Sequence, residues 1–234
     1  MIGTFLNVAS ILVGGCLGLL LGTKLSERLK ETVMAGLGLF TLVYGVSLFL
    51  KTENSLIVLG SVLVGVLLGE WWHIEDGLTK LGIWLERQFN KSSAEGQNQN
   101  FIKGFVTASL VFCIGPMAIL GSIQDGLTGN YNTLAVKSIL DGFGAMAFAS
   151  SLGVGVLFSS AMILIYQGSI TLLAGTVQNV ITASMMNELS ATGGVILVAI
   201  AISSLLEIKK IRTGSFLPAL LLAPIIVWIL SLFK

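Results

Sequence analysis

Charge is what this chain most lacks. Asp, Glu, Lys and Arg make up only 11% of its 234 residues, against roughly a quarter in an ordinary soluble domain. A surface solvated on all sides by water is thereby excluded. The formal charge is +1, so nothing points to a nucleic-acid or strongly acidic partner. Histidine is nearly absent too: the one copy, His73, has no His or Cys at ligand spacing, and no metal site is expected. Two cysteines, Cys16 and Cys113, lie far apart inside apolar runs and read as small packing residues rather than a disulfide. No glycine-rich loop ends in Gly-Lys-Ser/Thr, which argues against ATP-driven chemistry by this chain. No serine or carboxylate pair stands in recognisable catalytic surroundings, so no catalytic residue and no cofactor are expected.

What is present is apolar length. The chain is 54% hydrophobic, with a mean hydropathy of +0.93. A helix needs about 20 mostly apolar residues to cross the hydrocarbon core. Runs of that kind cover Ile2–Gly22, Val33–Leu50, Ser55–Gly69, Phe101–Ile123, Lys137–Leu152, Gly155–Ala174, Thr192–Leu206 and Phe216–Leu232. They predict an all-α polytopic membrane protein of seven or eight transmembrane helices. The pieces within 137–174 read either as two full spans or as a re-entrant hairpin. The first run lacks a basic leader, so it is expected to be a permanent span rather than a cleaved signal. Gly175–Ala191 is more polar and is expected at the surface, with Glu188 and Glu207 facing water at span ends.

Between these runs the pattern changes in two places. From Ile74 to Phe89, Ile74, Leu78, Leu81, Leu85 and Phe89 share one helical face, which predicts an amphipathic helix in the membrane interface beside Trp71-Trp72. Asn90–Asn100 carries no apolar periodicity and reads as a polar linker. The chain is thus one integral membrane domain, 1–234, with a front half 1–89 and a back half 101–234. Ile74-Glu-Asp-Gly-Leu-Thr79 recurs as Ile123-Gln-Asp-Gly-Leu-Thr128, a weak sign of an inverted repeat. Gly14, Gly18 and Gly22, and again Gly65 and Gly69, recur at four-residue spacing, which lets another helix approach closely within the chain or in an oligomer.

Ten of the thirteen basic residues fall in three loops, 23–32, 70–103 and 207–214. With eight crossings all three lie on one side, which the positive-inside rule makes cytoplasmic, and both termini then lie outside.

The chemistry centres on Cys113–Asp141. Gly115-Pro116 interrupts the fourth run, because proline has no N–H and clashes with the preceding turn. Gln124 and Asp125 follow, then Lys137 and Asp141, four apart and able to pair on a helix. Ionisable groups at membrane depth are costly and are functional candidates by default. These residues, with Gln167 in the next run, could line a pocket for a cation, a proton or a polar solute. Alternatively, Asp125-Gly126 is a surface turn and Lys137–Asp141 an interfacial salt bridge. The count of crossings puts Asp125 and Lys137 toward the outer face and leaves Asp141 deeper.

The blocks GTFLNVASILVGG, FVTASLVFCIGPMAILGSIQDGLTG, KSILDGFGAMAFASSLGVGV, YQGSITLLAG and IKKIRTGSFLPALLLAP resemble the YdfK/YqgA-type prokaryotic membrane family, known as domain of unknown function 554. The resemblance covers essentially the whole chain. It implies a multi-pass bacterial inner-membrane protein in a family often labelled as transport proteins, and it carries over no substrate or site residue.

The expectation is therefore a small transporter or channel-like protein for an ion or polar solute, embedded in the bilayer and homo-oligomeric. The alternative is a membrane scaffold or sensor that docks a partner through 70–103. Deleting Asn90–Asn100 separates the two: flux in proteoliposomes survives in a transporter, while a scaffold loses its partner in a pull-down from membranes.

Overall fold

The computed structural model describes residues 1–89 and 95–232, and helix dominates throughout with no strand among the described residues. The helices in chain order are α1 (Ile2–Gly22), α2 (Glu27–Phe49), α3 (Ser55–Trp71), α4 (Ile74–Phe89), α5 (Glu95–Cys113), α6 (Pro116–Thr128), α7 (Asn132–Leu152), α8 (Gly155–Leu172), α9 (Ala174–Val180), α10 (Ala183–Ile200) and α11 (Leu217–Ser231). Five are long and apolar enough to cross a membrane by themselves. The count becomes seven if α3 with α4, bent by 57°, and α5 with α6, bent by 64°, each form one span. At 1.5 Å per residue, the 21 residues of α7 also reach about 30 Å, although Lys137 and Asp141 keep α7 out of that count.

The residues group into two compact units that do not follow the order of the chain. One holds 1–36, 79–113 and 117–179, and the other 37–78, 114–116 and 180–234. The first run thus packs with helices of the expected back half. Of the expected linker, 90–94 lie outside the described residues, and 95–100 are helical as the start of α5.

In the first unit α1 is the axis. Gly14, Gly18 and Gly22 face the backbone carbonyls of Gly142, Met146 and Ser150, and a Cβ at any of the three would collide with them. Ascending numbers match on both helices, so α1 and α7 run parallel at close range. On α8 the order reverses: Thr4 meets Thr171, Asn7 meets Gln167, and Gly15 meets Leu157. So α7 and α8 are two full helices turned back on each other at Gly153, whose φ of 82° suits glycine. The stretch 137–174 is thus two antiparallel helices joined at Gly153. Phe101 of α5 packs against Phe158 of α8 with the rings tilted by 53° and 5.2 Å between centroids.

In the second unit α3 and α11 lie antiparallel. Gly65 abuts Ala219 and Gly69 abuts Ser215. Both glycine stripes are therefore spent on contacts inside the chain and do not offer free faces for assembly. The α2 helix meets α10 where Gly45 faces Gly194. Here the expected surface stretch 175–191 is corrected in its second part: 175–184 are mostly exposed, whereas Met185, Met186, Glu188, Ser190 and Ala191 are buried. Thr182 caps α10 through a bond from the Met185 N–H, and the apolar span runs Ala183–Leu205. Glu188, expected in water, is 1% exposed. Its carboxylate accepts from the Thr52 hydroxyl (2.7 Å), the Glu53 N–H (2.7 Å) and the Asn54 N–H (3.0 Å), so the turn before α3 supplies what water would have. Glu53 returns the clasp by accepting from Ser184 and Asn187, bonds that hold its carboxyl below the usual carboxylate range. That contribution is present above the ordinary Glu range and is lost as pH falls through the lowered value.

Close glycine contact makes a sharp expectation. Gly18→Leu should destabilise the protein by about 1–3 kcal/mol or more through overpacking against Met146. Gly36→Leu, where a Cβ meets nothing within 4 Å, should stay within about 0.5 kcal/mol of the parent. Thermal unfolding in detergent, followed by circular dichroism, reads the difference.

Candidate functional site: a buried polar cluster in a helical membrane protein

The site begins with the helix break. In an unbroken helix the Phe112 carbonyl would accept from the N–H four residues on. Position 116 is proline, so that carbonyl is left over at the end of α5. Gly115 takes a φ of 139°, open only to glycine, and α6 starts at Pro116. The break expected from sequence is present at Gly115 and Pro116.

Lys137 of α7 fills the gap. Its ammonium donates to the Phe112 carbonyl at 2.8 Å and is ion-paired with Asp141 one turn along. Lys137 and Asp141 are 6% and 8% exposed, so the salt bridge expected from their spacing is present and is buried within the protein. An ammonium at the end of α5 also meets the negative end of the helix dipole. The Oδ2 atom of Asp141 accepts from Asn7 Nδ2 of α1 at 2.9 Å, and that nitrogen is 3.3 Å from Gln167 Oε1 of α8. Asn7 and Gln167 are both fully buried. Asn7 Oδ1 and Gln167 Nε2 have no protein partner.

Asp125 lies at the end of α1, not in a surface turn. The α6 helix continues through Asp125-Gly126 to Thr128, and Asp125 is 3% exposed. It accepts from the Gly3 N–H at 3.0 Å, and its other oxygen is 3.2 Å from the Met1 amino group. Packing explains the depth: Gly126 lets α6 close onto Thr171 and Ala174. Gln124, one residue earlier, points away. It is exposed and accepts from the Thr133 hydroxyl, so it does not join the others.

Asn7 was not among the candidates that sequence reasoning named. Its signal was available, as the one amide in an otherwise apolar first span. The recurring IEDGLT and IQDGLT segments hold different places, the first six residues of α4 and the last six of α6. They share a device nonetheless. Glu75 Oε2 accepts from the Gly214 N–H at 2.6 Å, as Asp125 does from Gly3. Those glycines open the matching segments Gly3-Thr4-Phe5-Leu6 and Gly214-Ser215-Phe216-Leu217. Among the described residues, no group of three or more His, Cys, Asp or Glu could hold a metal ion.

Apolar helices of spanning length that fold over a buried ion pair define an all-α polytopic membrane protein. The chain belongs to the family described as "Protein of unknown function (DUF554)", which matches residues 2–228. It is 35% identical over 222 residues to "Uncharacterized protein YqgA" of Escherichia coli (strain K12), covering 95% of this chain and 94% of that protein. It is 28% identical over 237 residues to "Uncharacterized membrane protein YdfK" of Bacillus subtilis (strain 168), covering 100% of this chain and 98% of that one. No solved structure matches this chain.

The pairing has a measurable signature. Lys137→Met leaves a buried carboxylate without its counter-charge and should cost about 3–5 kcal/mol, whereas Lys137→Met with Asp141→Leu should recover most of that loss. A double-mutant cycle on detergent-solubilised protein, read by thermal or denaturant unfolding, measures the coupling.

Proposed function

We propose that this protein is a membrane transporter or channel-like protein for a small ion or polar solute, and that Asn7, Lys137, Asp141 and Gln167, with Asp125 behind them, form its polar path. The observation that carries the reading is the polar cluster itself, sealed between α1, α7 and α8 next to a broken helix, with a donor and an acceptor unused. Groups of this kind are expensive at membrane depth, and packing alone would be served as well by apolar side chains. Irregular backbone at that depth is tolerated where it lines a polar cavity or is buried in protein. A cleft of about 460 Å³ opens at the other end of the same unit, bordered by Thr23, Lys30, Asn100, Ser150, Ser151 and Gly153.

Orientation belongs to the same proposal. Lys24, Arg28, Lys30 and Lys103 all fall toward the cleft end of this unit, while no Lys or Arg occurs in the 128–132 turn at the other. That asymmetry supports a cytoplasmic cleft in the bacterial inner membrane, with the termini outside. Assembly as a homo-oligomer, if it encloses the pathway, must use faces other than the two glycine stripes.

Reconstituted into proteoliposomes, the protein should raise flux of at least one member of a panel of monovalent ions, protons and small polar solutes. Asp141→Asn, and separately the paired Lys137→Met/Asp141→Leu variant that keeps the fold, should each lower that flux at least tenfold. Unchanged flux in the folded paired variant would remove the cluster from the pathway.

A further inference from the structure

We infer that the cluster takes a small neutral solute, one presenting a hydrogen-bond acceptor and a donor close together, as water, urea or a primary amide does. This rests on the transport reading above and narrows its cargo.

Two independent features of the geometry lead there. The first is that the charges are already matched inside the protein. Lys137 has Asp141 against it and the Phe112 carbonyl as a further acceptor, so the ammonium stands where a coupling cation would otherwise sit. An entering cation would meet that ammonium, and an entering anion would meet the carboxylate. Neither gains a counter-charge without pulling the pair apart, which leaves a buried charge uncompensated.

The second feature is the order of the two amides, which Asp141 dictates. Ionised, it has only lone pairs to offer. Asn7 must therefore turn its Nδ2 toward Asp141, at 2.9 Å. That nitrogen's second hydrogen goes to Gln167, which presents its Oε1 at 3.3 Å. What remains is forced: Asn7 Oδ1 and Gln167 Nε2 are left over, both on fully buried residues. One accepts and the other donates, and neither is charged. A bare cation would satisfy only the oxygen, and a simple anion only the N–H. A solute that accepts from Gln167 and donates to Asn7 completes both and removes the penalty of a buried unmatched pair. One turn beyond, Thr171 donates its hydroxyl to the Gln167 carbonyl at 2.8 Å, so Thr4 donates to Thr171 at 3.4 Å and both hydroxyls have only lone pairs left to offer.

The test uses the full chain in vesicles of phosphatidylethanolamine and phosphatidylglycerol. Stopped-flow light scattering follows water, urea and acetamide, and voltage- and pH-sensitive dyes follow Na⁺, K⁺, Cl⁻ and H⁺ in the same preparation. Permeability to at least one of the neutral probes should exceed that of protein-free vesicles at least tenfold, with ion flux at background. Gln167→Leu should return the neutral flux to background, and Gln167→Met provides a second apolar variant should the first fail to fold. Gln124→Leu, outside the cluster, should keep it within about twofold. Ion flux without neutral-solute flux overturns the inference and leaves transport standing. Background flux for every probe overturns the transport reading and this inference with it. Full neutral flux in a folded Gln167 variant overturns the role given to the amides. The wild-type ion-against-neutral pattern decides even if neither variant folds.

Discussion

A single missing N–H organises the interior of the first unit. Because residue 116 is proline, the Phe112 carbonyl at the end of α5 has no helical partner, and an unpaired carbonyl in an apolar interior is costly. Lys137 supplies the donor, but a buried ammonium requires a counter-charge, which Asp141 provides from the next turn of the same helix. The carboxylate in turn needs donors, and Asn7 of α1 supplies one. Asn7 then meets Gln167 of α8. Each polar residue is thus required by the one before it, and the sequence of demands ties four helices together. It stops at two amide atoms with nothing further to bond, and the functional reading rests on that end point.

The glycine contacts make this sequence of bonds possible. Asn7 reaches Asp141 because α1 lies nearly in contact with the backbone of α7, and only hydrogen side chains at Gly14, Gly18 and Gly22 permit that approach. In a bilayer, where lipid tails are as apolar as leucine, close packing and interhelical hydrogen bonds hold helices together. Here both act on the same pair of helices. The second unit solves a similar problem differently: Glu188 takes over the exposed donors of the 52–54 turn, and Glu75 and Glu70 bind the segment that leads into α11.

Features local in sequence were legible without coordinates. The polytopic helical class follows from long apolar runs, the break from Gly115-Pro116, the bounds of α4 from its amphipathic face, and the Lys137–Asp141 pair from helical spacing. What escaped was everything decided by partners distant along the chain. Asn7 reads as a lone polar residue in a span until α7 and α8 lie beside it. Asp125 reads as a surface turn because nothing local says that Gly126 lets α6 sink against α8. Glu188 resembles a water-facing span end because the donors that bury it are more than a hundred residues away. Gln124 and Asp125 are adjacent, yet helical geometry sends them to opposite surroundings, and only the packing of α6 decides which one goes inward.

The interlock of α1 with α7 has a mechanical consequence. Carbonyls seated in glycine notches at three successive turns prevent the two helices from sliding or rolling past each other without steric collision. They must travel as one rigid blade. The turns between the neighbouring helices are made instead at glycines of positive φ, Gly115 between α5 and α6, Gly129 between α6 and α7 and Gly153 between α7 and α8, where the backbone has the freedom that the interlocked pair lacks. The break that creates the polar cluster is thus also one of the places where the backbone is least constrained by packing against α1.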